Sequence, residues 1–184
     1  MPDRPVVRYG SLAAPFGKIF VGVSDGKVVR VSLRQSEHAF SEALLRDGYK
    51  PVRDPSALAP VLERFEEYFR GERKSVDVEV DLSRLSPFNR AVLEETRRVP
   101  AGSVVSYAEI ARRIGKPRAY RAVGNALASN PAPVAVPCHR VVSTGGRMGG
   151  YTGGLDIKLH LLALEGFASP AKKARKKPVR SRAR

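Results

Sequence analysis

A single cysteine in 184 residues excludes an internal disulfide, and with it the bridge-stapled folds of secreted domains. A reducing compartment is the expectation that follows. The three histidines, His38, His139 and His160, are scattered and belong to no Cys-x-x-Cys or His-x-x-x-His spacing, so no metal is expected. No apolar run approaches the roughly 20 residues that cross a bilayer. The start, with Asp3 and Arg4, lacks the core of a signal peptide, so a soluble, intracellular protein without membrane association is expected. Acidic residues are also scarce: 18 against 33 Lys and Arg leave a net charge of +15, which calls for a polyanionic partner, nucleic acid first. From Ser169 onward there are eight Lys or Arg and no acid, so +7 remains on the body.

What the chain does have is concentrated in its second half. Residues 136–142 read Val-Pro-Cys-His-Arg-Val-Val, and Cys138 stands between a proline that stiffens the backbone and a histidine that can carry a proton. Two readings compete there: a nucleophile, or the small buried hydrophobe that a lone cysteine commonly is. A thiol of ordinary pKa, about 8.5, is only a few per cent ionised at neutral pH, so a nucleophile needs a base and a group to orient that base. His139 supplies the first and Glu165 is the candidate for the second. Glu165 falls in the last turn of a predicted helix, where the helix dipole disfavours a carboxylate unless it has a partner. Sequence neighbours seldom hydrogen-bond directly, so a bridging water is expected between thiol and imidazole.

The first half predicts a small mixed α/β unit without a chemical constellation. Residues 17–33 alternate around Ser24-Asp25-Gly26-Lys27, a two-residue hairpin signal. A short helix is expected over 37–46, a longer one over 56–70 closed by Gly71, and a third strand where Val76, Val78 and Val80 alternate with charged residues. In the second half Ser86-Pro87 opens a helix to about Arg98, and Ser106-Tyr107-Ala108-Glu109 has the capping-box form. A turn at Gly115-Lys116-Pro117 leads to a helix over 118–129, so the pair is a helix-turn-helix candidate. On that second helix Tyr120, Val123, Gly124 and Leu127 share the expected inner face. Arg118, Arg121, Ala122, Asn125 and Ser129 share the other, which suits either a nucleic-acid groove or plain solvent. Six of residues 145–154 are glycine, around Tyr151-Thr152: a surface loop, or a place where backbone approaches a ligand. A last helix over 156–165 should pack on Leu155, Leu159 and Leu162.

Here the chain resembles the O6-alkylguanine-DNA alkyltransferases. The resemblance runs from about Ser86 to Gly166. It is carried by Pro137-Cys138-His139-Arg140-Val141, Arg121-Ala122-Val123-Gly124, Asn130-Pro131, Tyr151 with Gly153-Gly154, and Leu164-Glu165-Gly166. It implies an α+β chain: a ribonuclease-H-like domain over 1–83 and a mostly helical DNA-binding and alkyl-transfer domain over 84–168 with the helix-turn-helix. The basic tail over 169–184 lies outside the resemblance and reads either as a disordered, solubilising end or as a nonspecific attraction to DNA. It implies transfer of an alkyl group from O6-alkylguanine in duplex DNA to Cys138, once and irreversibly, by a monomer without cofactor; O4-alkylthymine stays open as a second substrate.

The resemblance further implies a base rotated out through the minor groove, with Arg121 filling the gap and Arg118, Ala122, Asn125 and Arg140 meeting DNA. Tyr107 would sit at guanine N3, the Cys138 and Val141 carbonyls at the exocyclic amine, Tyr151 and Thr152 along the pocket, and Asn130 would tie the helix to the active-site loop. The family often has serine where Thr152 stands, and a frequent small residue where Tyr120 stands, so the Tyr120 ring either packs inward or touches a DNA sugar. Two rivals remain: a binding-only relative, which would lack the cysteine, and a sequence-reading regulator with an incidental thiol. The expected location is the cytoplasm, with the chromosome, in a prokaryote, and the nucleus in a eukaryote, where the Lys/Arg tail reads as an address.

Overall fold

Alternating apolar residues on each side of Asp25-Gly26 make a hairpin because both turn residues adopt the left-handed conformation its tight turn requires, φ 49° and 74°. The strands are β2 (Gly17–Ser24) and β3 (Lys27–Leu33), after a first strand β1 (Val6–Ala14) that pairs antiparallel with β2. β4 (Lys50–Arg53) adds to β1 in parallel, giving a mixed sheet of order β3-β2-β1-β4. The computed structural model describes residues 4–145 and 147–167; the basic tail expected over 169–184 lies outside the described residues.

The sequence reading missed β1 and β4. Gly10 interrupts the β1 pattern because the helix side of the sheet comes close there: a Cβ would stand 3.1 Å from Leu62 and Pro55. The strand expected over Val76–Val80 is also corrected. Only Val80 bridges the sheet, at Val28. The edge of β3 beyond it turns to the second half of the chain instead, with the Val31 amide donating to the Pro131 carbonyl at 2.8 Å.

Helix α1 (Glu37–Arg46), capped by Ser36, lays Phe40 and Leu44 against Tyr9, Phe20 and Tyr49 on one sheet face. Helix α2 (Ala59–Phe69) covers the other, burying Leu62, Phe65, Tyr68 and Phe69 beside Leu12, Ile19 and Val21. Gly71 ends it with φ 77°. That apolar cluster continues into the second half, through α3 (Pro87–Arg97), α4 (Tyr107–Arg113), α5 (Tyr120–Ala128) and α6 (Leu155–Leu164). Ser86 and Ser106 cap α3 and α4 by accepting from the Asn89 and Glu109 amides. Gly115, at φ 72°, turns the chain from α4 toward α5, and α3, α4 and α5 pack on one another. Two short parallel strands, β5 (Val105–Ser106) and β6 (Val141–Val142), tie the start of α4 to the segment after the cysteine.

The inward face of α6 differs from expectation. Ile157, Lys158, Leu161 and Leu162 are buried, whereas Leu155 and Leu159 are 48 % and 40 % exposed. The helix is apolar almost all round, so leucine spacing carries no phase, and the buried lysine sets the orientation by finding carbonyls to bond. Among the described residues no helix is long and apolar enough to cross a membrane.

Candidate active site

Three prolines stiffen the stretch from Asn130 to Cys138, and Asn130 folds it. Its amide oxygen accepts from the Ala132 amide at 3.0 Å, while its Nδ2 donates to the Val136 carbonyl at 3.0 Å and to Cys138 Sγ at 3.1 Å. Val134 is held at φ 76° while buried, a conformation a β-branched residue avoids and that costs of order 1–3 kcal/mol. Cys138 then opens a 3-10 turn with His139 and Arg140 that runs into β6. The thiol is buried, and burial pushes its pKa up, against a downward pull from the Asn130 amide and the Lys158 ammonium. It rests as S–H and needs a base.

His139 is fully buried, and its Nε2 stands 2.7 Å from Glu165 Oε1. A carboxylate accepts only, so Nε2 carries the proton and Nδ1 presents its lone pair. Nδ1 has no protein partner among the described residues. Burial pushes the pKa of His139 down, opposed by Glu165, so the ring rests neutral. Although burial alone would raise Glu165, hydrogen bonds from His139 and Arg140 hold its carboxyl at about 2.

Arg140 is corrected from its expected place on DNA. It is buried, with Nε 2.8 Å from Glu165 Oε2, Nη2 2.9 Å from Oε1, and Nη1 2.6 Å from the Val99 carbonyl. A guanidinium that fits a carboxylate with two parallel bonds is kept inside by them.

The buried carboxylate gives a pH prediction. Its folded pKa is depressed, so its contribution is complete above the unfolded value of about 4.3 and is lost as pH falls toward about 2, a loss of about 3 kcal/mol. His139, depressed as well, adds to the loss below its ordinary value. Urea unfolding at pH about 7, 5 and 3 is expected to show stability falling at each step, and a flat profile would contradict the geometry.

Cys138 lies on the wall of two cavities. One, of about 400 Å³, is lined by Tyr107, Gly124, Leu127, Ala128, Gly150, Tyr151 and Thr152. The other, of about 360 Å³, runs along β3 past Asn130, Pro131 and Gly153. Both are of a size that holds a small organic group or a base. Tyr107 is half-buried, and a Cβ on Gly149 would stand 2.8 Å from its hydroxyl, so glycine there keeps the loop against the ring. Burial pushes the Tyr107 and Tyr151 hydroxyls up, with the neighbouring Cys138 adding to it. The Tyr151 hydroxyl is buried without a partner of hydrogen-bond geometry among the described residues. Thr152 Oγ1 donates to the Ala128 carbonyl at 3.3 Å.

Lys158 went unnoticed in the sequence. Its Nζ donates to the Val141 carbonyl at 2.6 Å and to the Met148 carbonyl, and burial lowers its pKa to about 8. Its only signal was a lysine within an apolar helix. The Val141 carbonyl is thus already bonded, and the Cys138 carbonyl accepts from the Val141 amide, which leaves each oxygen one further lone pair. Tyr68 is the other unnoticed contact, bonded to Glu165 from α2.

On α5, Arg118, which precedes the helix, together with Arg121, Ala122 and Asn125, is exposed; among the described residues neither arginine has an ion-pair partner. Of the two placements open to Tyr120, the fold rejects inward packing: it is 47 % exposed, with the Arg121 guanidinium over its ring.

Residues 87–167 match the family model of the 6-O-methylguanine DNA methyltransferase DNA-binding domain. The chain is 40 % identical over 166 residues to a methylated-DNA–protein-cysteine methyltransferase of Mycolicibacterium paratuberculosis, covering 90 % of this chain and 96 % of that one. The constitutive methylated-DNA–protein-cysteine methyltransferase of Bacillus subtilis is 33 % identical over 159 residues, 85 % of this chain and 94 % of the relative. Among solved structures, Mycobacterium tuberculosis OGT in complex with DNA superposes with a TM-score of 0.73 at 34 % identity, covering 86 % of this chain and 92 % of that one. The O6-methylguanine-DNA methyltransferase of Pyrococcus kodakaraensis reaches 0.63 at 27 % identity, with 88 % and 99 % covered.

Proposed function

Since the chain belongs to the methylated-DNA–protein-cysteine methyltransferase family and repairs DNA by alkyl transfer, we propose that Cys138 is the atom that accepts the alkyl group and that His139 and Glu165 are its proton relay. The observation that carries this is the buried His139 Nε2 to Glu165 Oε1 contact of 2.7 Å, which turns the free Nδ1 lone pair into the proton acceptor one residue from the thiol. The thiol proton passes to Nδ1 through a bridging water. The sulfur attacks the carbon on O6, the C–O6 bond breaks with its electron pair going to the guanine, and Tyr107 gives N3 a proton as the base leaves. A thioether remains on Cys138, so each molecule acts once.

In this reading α4 and α5 form a helix-turn-helix, and the outer face of α5 meets the minor groove of alkylated duplex DNA. Arg118 and Arg121, exposed and without an ion-pair partner among the described residues, and the small Ala122 support that orientation. Asn125 joins them, Arg121 fills the stack vacated by the rotated base, and Tyr151, Thr152 and Val141 line the pocket that receives it. The mixed sheet flanked by α1 and α2 supports reading residues 1–83 as ribonuclease-H-like.

Incubation with duplex DNA bearing O6-methylguanine tests the acceptor: the protein is expected to gain one methyl, mapped to the Cys138 peptide. Tight lesion binding without mass gain would favour a binding-only protein, and sequence-selective binding indifferent to the lesion a regulator. Arg121→Ala is expected to slow transfer from duplex about a hundredfold while leaving reaction with free O6-benzylguanine within about twofold, because only the duplex substrate has an unstacking cost. Equal losses on both would rule out the stacking role.

A further inference from the structure

Tyr68 belongs to α2, in the half of the chain whose sequence offers no chemistry, yet its hydroxyl reaches the relay. The side chain is 1 % exposed and donates to Glu165 Oε1 at 2.8 Å across 97 residues of sequence. That oxygen is the one His139 Nε2 approaches at 2.7 Å, and Arg140 Nη2 stands 2.9 Å from it. Among the described residues, Tyr68 is the only side chain of residues 4–83 that hydrogen-bonds His139, Arg140 or Glu165.

We propose that Tyr68 is a positioning residue for alkyl transfer: by sharing the carboxylate oxygen that orients His139, its hydroxyl sets how strongly Glu165 draws on the imidazole. The proposal rests on the Cys138-His139-Glu165 reading and extends it into the first half of the chain. The physical basis is competition for one acceptor. A carboxylate oxygen offers about two lone-pair sites, and each donor that occupies one withdraws charge from the rest. Burial and the adjacent Glu165 charge push the Tyr68 pKa far above its ordinary value, so it stays a neutral donor at every working pH. His139 is the member that changes charge when the thiol proton arrives. Tyr68 then holds the carboxylate from the α2 side while the imidazolium pulls from the other, which limits both the movement of Glu165 and the basicity of the ring.

Every group facing the pair bears on this. The turn at 138–140 contributes Cys138, His139 and Arg140, the glycine-rich loop contributes Tyr151, and α6 contributes Lys158. The Gly102 amide points at Oε2 from 3.4 Å, and the Lys74 carbonyl, just past α2, accepts from Arg140 at 3.2 Å. None of these partners, the titrating His139 included, makes the Tyr68 contact on Oε1, so none replaces its hydroxyl when it is removed.

Tyr68→Phe keeps the ring and deletes only the donor. Without it the Glu165 charge is less dispersed, protonated His139 is better stabilised, and the neutral base is lost at a higher pH. The test is the rate of Cys138 alkylation by free O6-benzylguanine from acid to neutral pH, read by intact mass. Affinity for undamaged duplex and melting temperature are measured alongside. The acid limb is expected to move upward by roughly half a unit, which lowers the rate about threefold on the limb and little near neutrality, with duplex affinity unchanged. Site-specific Tyr68→3-fluorotyrosine, nearly the same shape with a more acidic hydroxyl, is expected to move the limb the other way, and it decides the matter if Tyr68→Phe does not fold. An unmoved limb in the variants, with or without a uniform drop in rate, reduces Tyr68 to packing and overturns the proposal. Failure of the unmodified chain to alkylate Cys138 would instead remove the relay itself and this proposal with it.

Discussion

Cys138→Ala protein is expected to leave duplex DNA containing O6-methylguanine at its original mass, with loss of transfer complete rather than partial. No second nucleophile stands ready on the wall of the Tyr107 cavity among the described residues. Burial raises the Tyr107 and Tyr151 hydroxyls, which makes them poorer nucleophiles still, and Thr152 spends its hydroxyl on the Ala128 carbonyl. The fold should tolerate the change. Asn130 Nδ2 loses the sulfur at 3.1 Å but keeps the Val136 carbonyl at 3.0 Å, so the loop retains its tie. Removing one small buried atom costs about 1 kcal/mol, a shift of a few degrees in melting temperature at this length. Duplex affinity should persist, because the exposed arginines lie elsewhere, on and just before α5. Mass spectrometry, thermal melting and a DNA titration on one preparation check all three. Residual methyl transfer to another residue would mean that the acceptor has been misassigned.

Arg140→Met is expected to act on stability and on the thiol, and to leave DNA binding alone. The guanidinium is paired with Glu165 through Nε at 2.8 Å and Nη2 at 2.9 Å, inside the protein. Removing one member of a buried pair leaves the other charge uncompensated and costs about 3–5 kcal/mol, roughly 10 °C or more in melting temperature. It also leaves the Glu165 charge less dispersed and removes a cation facing His139, so protonated His139 is better stabilised and the neutral base for Cys138 is lost at a higher pH. Because Arg140 does not reach the surface, the salt dependence of duplex binding should match that of the unmodified protein, whereas a phosphate contact would lower the slope by about one. A normal melting temperature with a reduced slope would return Arg140 to the DNA interface.

Much of the local structure was legible because it obeys local rules. The Asp25-Gly26 hairpin and the serine caps of α3 and α4 depend on a few residues next to one another. β1 and β4 were not legible: a strand bearing a glycine against Pro55 and Leu62, and a parallel partner about 40 residues on, are defined by what packs on them. The phase of α6 failed for a related reason. A helix apolar on every side shows no preferred face until Lys158 finds the Val141 carbonyl. At the site, Cys138, His139 and Glu165 could be picked out as chemistry-bearing types, and the dipole argument pointed Glu165 toward a partner. Arg140 looked like a DNA contact because charge in a sequence says nothing of depth.

By itself, the order of residues determined the composition, the basic charge, the motif around Cys138 and its family, because these are properties of types and spacings along one dimension. Only the tertiary structure decided which atoms share Glu165: His139 and Arg140 from the turn after the cysteine, and Tyr68 from α2, at 2.7 to 2.9 Å. The physical reason is that burial removes water as an alternative partner. A buried carboxylate left with four side-chain donors and the Gly102 amide takes its proton affinity mainly from the side chains that folding brings to it, and those lie 25, 26 and 97 residues away along the chain.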